Sequence, residues 1–168
     1  KVTGFVEDKE HRIWVSTWDN NGMIRLEKPF EPQSSSYQLY PSSGQNGTLP
    51  SAVLYKLAYD PHNNEIWVAT AKGLAVLTDL EATDAFTVYD AGELGGDEIW
   101  TIYSDGKNIM WASALGGGVN KVVKRKVAFR HDVLSAGTTG NGIITALYED
   151  ESSMVWVGAR SDILLLWD

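Results

Sequence analysis

The 168-residue sequence contains no cysteine. That excludes a disulfide framework, a thiol nucleophile and any metal site built on thiolates. No stretch reaches the roughly 18 uninterrupted apolar residues of a membrane-spanning helix, and the first residues lack a charged start followed by an apolar centre. Positive charge is also scarce: 14 Lys and Arg stand against 22 Asp and Glu, for a net charge of −8. A phosphate backbone or an anionic membrane surface is therefore a poor partner. The one basic cluster, Lys124-Arg125-Lys126, lies between two strand-like runs and reads as a solvated loop. Helical periodicity is nearly absent, although 43% hydrophobic residues suffice to bury a core.

What the chain does contain is one arrangement repeated four times. Each copy has an apolar run, an Asp, a polar turn and a Trp flanked by small or β-branched residues. The Asp/Trp pairs are Asp8/Trp14, Asp60/Trp67, Asp105/Trp111 and Asp150/Trp156, separated by six, seven, six and six residues. The extra residue of the second copy falls in its Pro61-His62-Asn63-Asn64 turn. Successive Trp anchors lie 53, 44 and 45 residues apart, the period of a four-stranded propeller blade. Short apolar or alternating runs cut by Gly, Asn, Asp, Pro and Ser mark an all-β chain.

The expected fold is thus a partial β-propeller of about four blades, each of four antiparallel strands a to d, with the last blade incomplete. The repeats cover approximately residues 2–49, 50–95, 96–140 and 141–168. Strands are expected over 3–7, 12–17, 22–26 and 37–40; 53–59, 65–70, 74–77 and 85–89; 98–104, 108–113, 119–122 and 128–132; then 143–149, 155–158 and 163–166. Asn63-Asn64 and Asp105-Gly106 suit hairpin turns, and each repeated Asp is placed to bond its own downstream backbone. Leu54/Leu57 and Ile99/Ile102 predict inner strands that are apolar on both faces. Residues 41–50, which lengthen the first spacing, read as a loop insertion on an exposed rim. Trp14, Trp67, Trp111 and Trp156 are assigned to packing between blades.

The clearest copies, VEDKEHRIWVSTWDNNGMIRL from Val6 and YDPHNNEIWVATAKGLAVL from Tyr59, together with the aromatic strand Phe86-Thr87-Val88-Tyr89, resemble two-component regulator propeller repeats. The third copy departs with Ala112-Ser113, and the fourth with Gly158-Ala159-Arg160 and the loss of the Gly before strand c at Asp162. The resemblance implies a segment of the periplasmic sensor ectodomain of a hybrid two-component system, sensing polysaccharide-derived oligosaccharides. A WD-repeat reading fits less well, because Trp18-Asp19 and Trp167-Asp168 occupy different places in their repeats. Asp-box turns fit only near Asp105-Gly106.

Chemistry is hard to find in the sequence. There is no nucleophile elbow, and His11, His62 and His131 are too scattered for a zinc site. No calcium loop or carboxylate pair stands out. No catalytic residue, metal or cofactor is therefore assigned. Binding is better supported. If strand a runs from one face to the other, the d-to-a and b-to-c loops share a face, and that face collects Trp18, Asp19, Asn20, Tyr55, Lys72, Trp100 and Arg160. Flat aromatics beside amide, carboxylate and cationic groups match a sugar ring, whose apolar side stacks while its hydroxyls need directional partners. Trp18 and Trp100 stand outside the repeated Trp register. An enzyme on the same scaffold, such as a polysaccharide or lactone-cleaving lyase, and a propeller that serves protein contacts are the alternatives. The expected partners are an oligosaccharide and either a second copy, by self-association, or the remaining blades of a longer propeller; nucleic acid and membrane insertion are not expected.

Overall fold

The computed structural model describes residues 1–18, 22–31, 33–34, 36–106, 108–123, 128–132, 143–159 and 163–167. Four antiparallel sheets follow one another along the chain, each built from consecutive strands. The first holds β1 (Val2–Glu7), β2 (Ile13–Thr17), β3 (Met23–Glu27) and β4 (Ser36–Tyr40). The second holds β5 (Leu54–Asp60), β6 (Glu65–Thr70), β7 (Gly73–Leu77) and β8 (Phe86–Tyr89). After the short helix α1 (Ala91–Leu94), the third holds β9 (Ile99–Ser104), β10 (Ile109–Ala114), β11 (Gly118–Val123) and β12 (Ala128–Asp132). The fourth has three strands among the described residues: β13 (Ile144–Glu149), β14 (Val155–Ala159) and β15 (Ile163–Trp167). Every expected strand is present with bounds shifted by no more than one residue. The inner strands β1, β5, β9 and β13 adjoin in that order, the arrangement of propeller blades.

Each blade buries one face against the next. Trp14, Met23 and Tyr40 of the first blade meet Leu54, Leu57, Ile66, Val68, Ala75, Leu77 and Phe86 of the second. Trp67, Leu74 and Val76 from the other side of the second blade meet Ile99, Ile102, Met110 and Ala112 of the third. Trp111 and Val119 then meet Ile144, Leu147, Val155 and Val157 of the fourth. One such Trp removes roughly 150–250 Å² from water, so these rings dominate the interblade contacts.

The inner strands correct the expectation of two apolar faces. In a regular strand, residues three apart point to opposite sides. Here Leu54 and Leu57 lie in one core, Ile99 and Ile102 in the next, and Ile144 and Leu147 in the third. The reason is a β-bulge at the same place in every blade: pairing jumps from Val2 to Gly4, from Leu54 to Lys56, from Ile99 to Thr101 and from Ile144 to Ala146. The extra residue shifts the parity, so an i, i+3 apolar pair faces one way. Backbone groups freed near the bulge are satisfied across blades. Thr3 Oγ1 donates to the Leu54 carbonyl at 2.8 Å, and Ser113 Oγ to the Ile144 carbonyl at 3.1 Å.

The repeated Asp pins the turn between the first two strands of each blade. Asp8 Oδ1 accepts from the Glu10 and Arg12 N–H groups, both at 3.0 Å, while Oδ2 accepts from Trp14 Nε1 at 2.8 Å. Asp150 repeats this with Ser152, Met154 and Trp156 Nε1. In the second blade, where the separation is seven, Asp60 holds the turn through His62 and Asn63, and Trp67 Nε1 bonds Glu65 at 3.3 Å instead. Arg12 and Arg25 flank Trp14, with guanidinium carbons 5.8 and 5.5 Å from the ring centroid. Both reach Glu81 in the β7–β8 loop and so clip the first blade to the second.

Two turn glycines are required by close approach. Gly22 and Gly73 both have positive φ, and a Cβ on either would collide with the carbonyl oxygen of Tyr40 or Tyr89, respectively. The loop over residues 41–50 is more than a rim insertion. Its Leu49 is fully buried in the first interblade core, and the Gly47 carbonyl accepts from the Phe86 N–H at 2.9 Å. The helix α1, which periodicity does not announce, is closed by a capping box between Asp90 and Glu93.

Candidate functional site

The bulge that sets the parity of the inner strands also presents one unpaired residue per blade: Thr3, Tyr55, Trp100 and Thr145. All four stand near the start of an inner strand, on the face where β2, β6 and β10 end. Pairing resumes just beyond the bulge, with the N–H groups of Trp18, Ala71 and Leu115 bonding the carbonyls of Lys1, Val53 and Glu98. Trp18 therefore sits beside the bulge of its own blade, facing the next.

These positions bring three aromatics into one row across three blades. The Trp18 ring meets Tyr55 edge-on, with centroids 4.9 Å apart and planes at 76°. Tyr55 in turn stacks on Trp100 at 4.7 Å and 12°. Trp18 is 43% exposed, enough for its free edge and much of one face to meet a ligand. Lys1 Nζ lies 5.9 Å from the Trp18 centroid, adding a cation at the end of the row.

Polar groups complete the row. The Tyr55 hydroxyl donates to Glu98, the residue just before β9. Burial first, and then the bond to Glu98 and its negative charge, push the Tyr55 hydroxyl well above the usual phenol range. It therefore stays protonated and holds Glu98 as an acceptor. The indole N–H of Trp100 is buried with no hydrogen-bond partner among the described residues.

Of the seven residues singled out from sequence, the structure joins Trp18, Tyr55 and Trp100 in direct ring contact. Lys72 is exposed in the turn between β6 and β7, where its N–H bonds Thr70 Oγ1 at 3.0 Å. Asp19, Asn20 and Arg160 lie outside the described residues. Glu98 was missed by sequence reading. Its position immediately before an inner strand, two residues ahead of Trp100, was the available signal. Among the described residues no group of three or more His, Asp or Glu side chains could hold a metal ion, and no helix is long and apolar enough to cross a membrane.

No family model matches the sequence, and no curated protein does either. Solved structures do. The extracellular domain described as belonging to a hybrid two-component system, BT3049 of B. thetaiotaomicron, superimposes with a TM-score of 0.75 at 20% identity over 100% of this chain and 22% of its own. The extracellular domain described as that of a one-component system, BT4673 of the same organism, gives 0.75 at 18% identity over 98% of this chain and 24% of its own. Virginiamycin B lyase from Staphylococcus aureus gives 0.70 at 11% identity, with 98% of this chain and 54% of the lyase covered. The chain thus spans less than a quarter of either extracellular domain. In fold it is an all-β arc of propeller blades, similar to the extracellular domains of bacterial two-component sensors.

Proposed function

We propose that the chain is a non-catalytic, ligand-binding segment of a periplasmic sensor ectodomain, and that it binds a polysaccharide-derived oligosaccharide on the face carrying Trp18, Tyr55 and Trp100. The observation that carries this reading is the aromatic row itself. Trp18 and Trp100 stand outside the four repeated Trp anchors and outside the interblade cores, while Tyr55 between them packs in part against the second core. A sugar ring offers an apolar side to such a row and hydroxyls to its flanks. Glu98 supplies an acceptor. Lys72, Asp19, Asn20 and Arg160 are the further polar partners that sequence assigns to this face. The similarity to sensor extracellular domains supports the periplasmic setting and the role in signal transduction.

The test is calorimetry with a panel of oligosaccharides released from different polysaccharides. Trp18→Ala and Trp100→Ala should each weaken the wild-type interaction roughly five- to a hundredfold, equivalent to about 1–3 kcal/mol for a central aromatic contact. Binding by the wild type with unchanged affinity in both variants removes the row from the site. No binding by the wild type to any glycan of the panel removes the oligosaccharide reading.

A further inference from the structure

The four inner strands use matching positions, so a departure in one blade stands out. Immediately after the bulge residue the first, third and fourth blades carry Gly4, Thr101 and Ala146, whereas the second carries Lys56. The slot faces the inner strand of the next blade: a Cβ on Gly4 would stand 3.9 Å from the Lys56 Cα. Three blades fold with a small residue there, and Lys56 belongs to none of the interblade cores. The scaffold therefore does not call for a long cationic side chain at this place.

Lys56 reaches toward the third blade. Its Nζ donates to Thr101 Oγ1 at 3.3 Å, and the residues that precede these two in sequence, Tyr55 and Trp100, are the stacked pair of the aromatic row. The ammonium thus lies beside that row, on strands β5 and β9, which adjoin each other and are flanked by β1 and β13. Although the residue is exposed, its surroundings strip enough water from the ammonium to hold it below the usual lysine range, and no carboxylate among the described residues offsets that loss. Glu98 is engaged by the Tyr55 hydroxyl instead. An ammonium has three donors, and a single neutral hydroxyl takes one of them here.

Resting on the oligosaccharide reading above, we propose that Lys56 sets the specificity of that site and that the ligand is an acidic oligosaccharide, one of whose sugar residues places a carboxylate or a sulfate ester on the Lys56 ammonium while an adjoining ring meets the Trp18–Tyr55–Trp100 row. The anion supplies what the ammonium lacks, a charged acceptor for the donors that no protein group takes. A net charge of −8 opposes acidic ligands at long range, so such a sugar is held only where a local cation outweighs that field. Selectivity for the charge then rests on one side chain.

Calorimetry at fixed ionic strength with matched sugars reads this directly: oligogalacturonates against their carboxyl-reduced neutral counterparts, and sulfated galactan oligosaccharides against their desulfated counterparts. The wild type should bind the acidic member of a pair about tenfold or more tighter than the neutral one, and the pair that shows this preference distinguishes carboxylate from sulfate. Lys56→Gln should bring the affinity of the acidic member down to that of its counterpart, and Lys56→Arg should keep the preference. Trp100→Ala, by contrast, should weaken both members. Lys56→Thr, which installs the residue of the third blade, serves should Lys56→Gln fail to give a wild-type circular dichroism spectrum. Neutral members that bind as tightly as acidic ones overturn this proposal and leave the sugar site standing, as does a wider panel in which only neutral glycans bind. An acidic preference that survives in the Lys56 variants also overturns it, because another cation then reads the charge. Binding of no glycan at all removes the oligosaccharide reading itself.

Discussion

The inner strands of the first and second blades carry apolar residues at the same register positions, with the same bulge between them, yet their exposure is opposite. Val2 and Phe5 are 59% and 73% exposed, whereas Leu54 and Leu57 are 0% and 4%. Nothing local separates them. What differs is the Trp row of a preceding blade, which the second blade has and the first lacks among the described residues. Burial in this fold belongs to the neighbour, and the inner-strand face of a blade is completed only when the anchor ring of the preceding blade is laid over it.

The strongest way to sharpen this contrast is to remove an anchor. Trp67→Ala empties a fully buried site between the second and third blades and should destabilise by about 3–5 kcal/mol. Trp156→Ala removes the same residue type from the end of the arc, where the ring is only half-buried, and should cost roughly 1–2 kcal/mol. Chemical denaturation of both variants measures the gap; equal losses would mean that position in the arc does not govern the anchor.

A smaller version of the same comparison uses the covered face. Leu57→Ala should cost about 2–5 kcal/mol. Phe5→Ala, at concentrations where the chain is monomeric, should stay within about 0.5 kcal/mol of the parent. A large loss at Phe5 under those conditions would show that the first blade's face is covered within a single chain.

A further contrast concerns the turn. Burial raises the Asp8 carboxyl, but the bonds from Trp14 and from the Arg12 backbone and side chain outweigh it, so its pKa lies below the ordinary carboxylate value. A depressed folded-state value contributes stability that is present above the unfolded pKa and is lost as pH falls through the folded one. Asp8→Asn should therefore cost about 1–3 kcal/mol near neutrality, and the gap to wild type should narrow below about pH 4. A gap that is constant with pH would exclude the charge as its source.

Most of the fold was legible because the signals that set it are local and repeated. Alternation and turn residues placed each strand to within a residue, and the Asp-to-Trp spacing marked the blades. The bulges were not legible as such, since period-two reasoning assumes an unbroken strand. Their trace was present all the same: Val2/Phe5, Leu54/Leu57, Ile99/Ile102 and Ile144/Leu147 all use an i, i+3 spacing that suits one face only if a residue is inserted. Trp18, Tyr55 and Trp100 could be gathered on one face by counting loops. That their rings touch depends on distances between blades, which sequence does not carry. Glu98 escaped because one carboxylate among 22 acidic residues has no pattern to distinguish it. The Asp90/Glu93 capping box was readable, but four residues are too few to show a helical period.

The bulge has one more consequence, for how such a chain can change. Its residue takes no part in the strand ladder, and Thr3, Tyr55, Trp100 and Thr145 already show four blades tolerating a small hydroxyl, a phenol or an indole there. The slot thus accepts side chains of different size and chemistry while the anchors and turns go on specifying the same architecture, and where its residue also bridges blades, as Thr3 does through the Leu54 carbonyl, one substitution reaches surface and scaffold together.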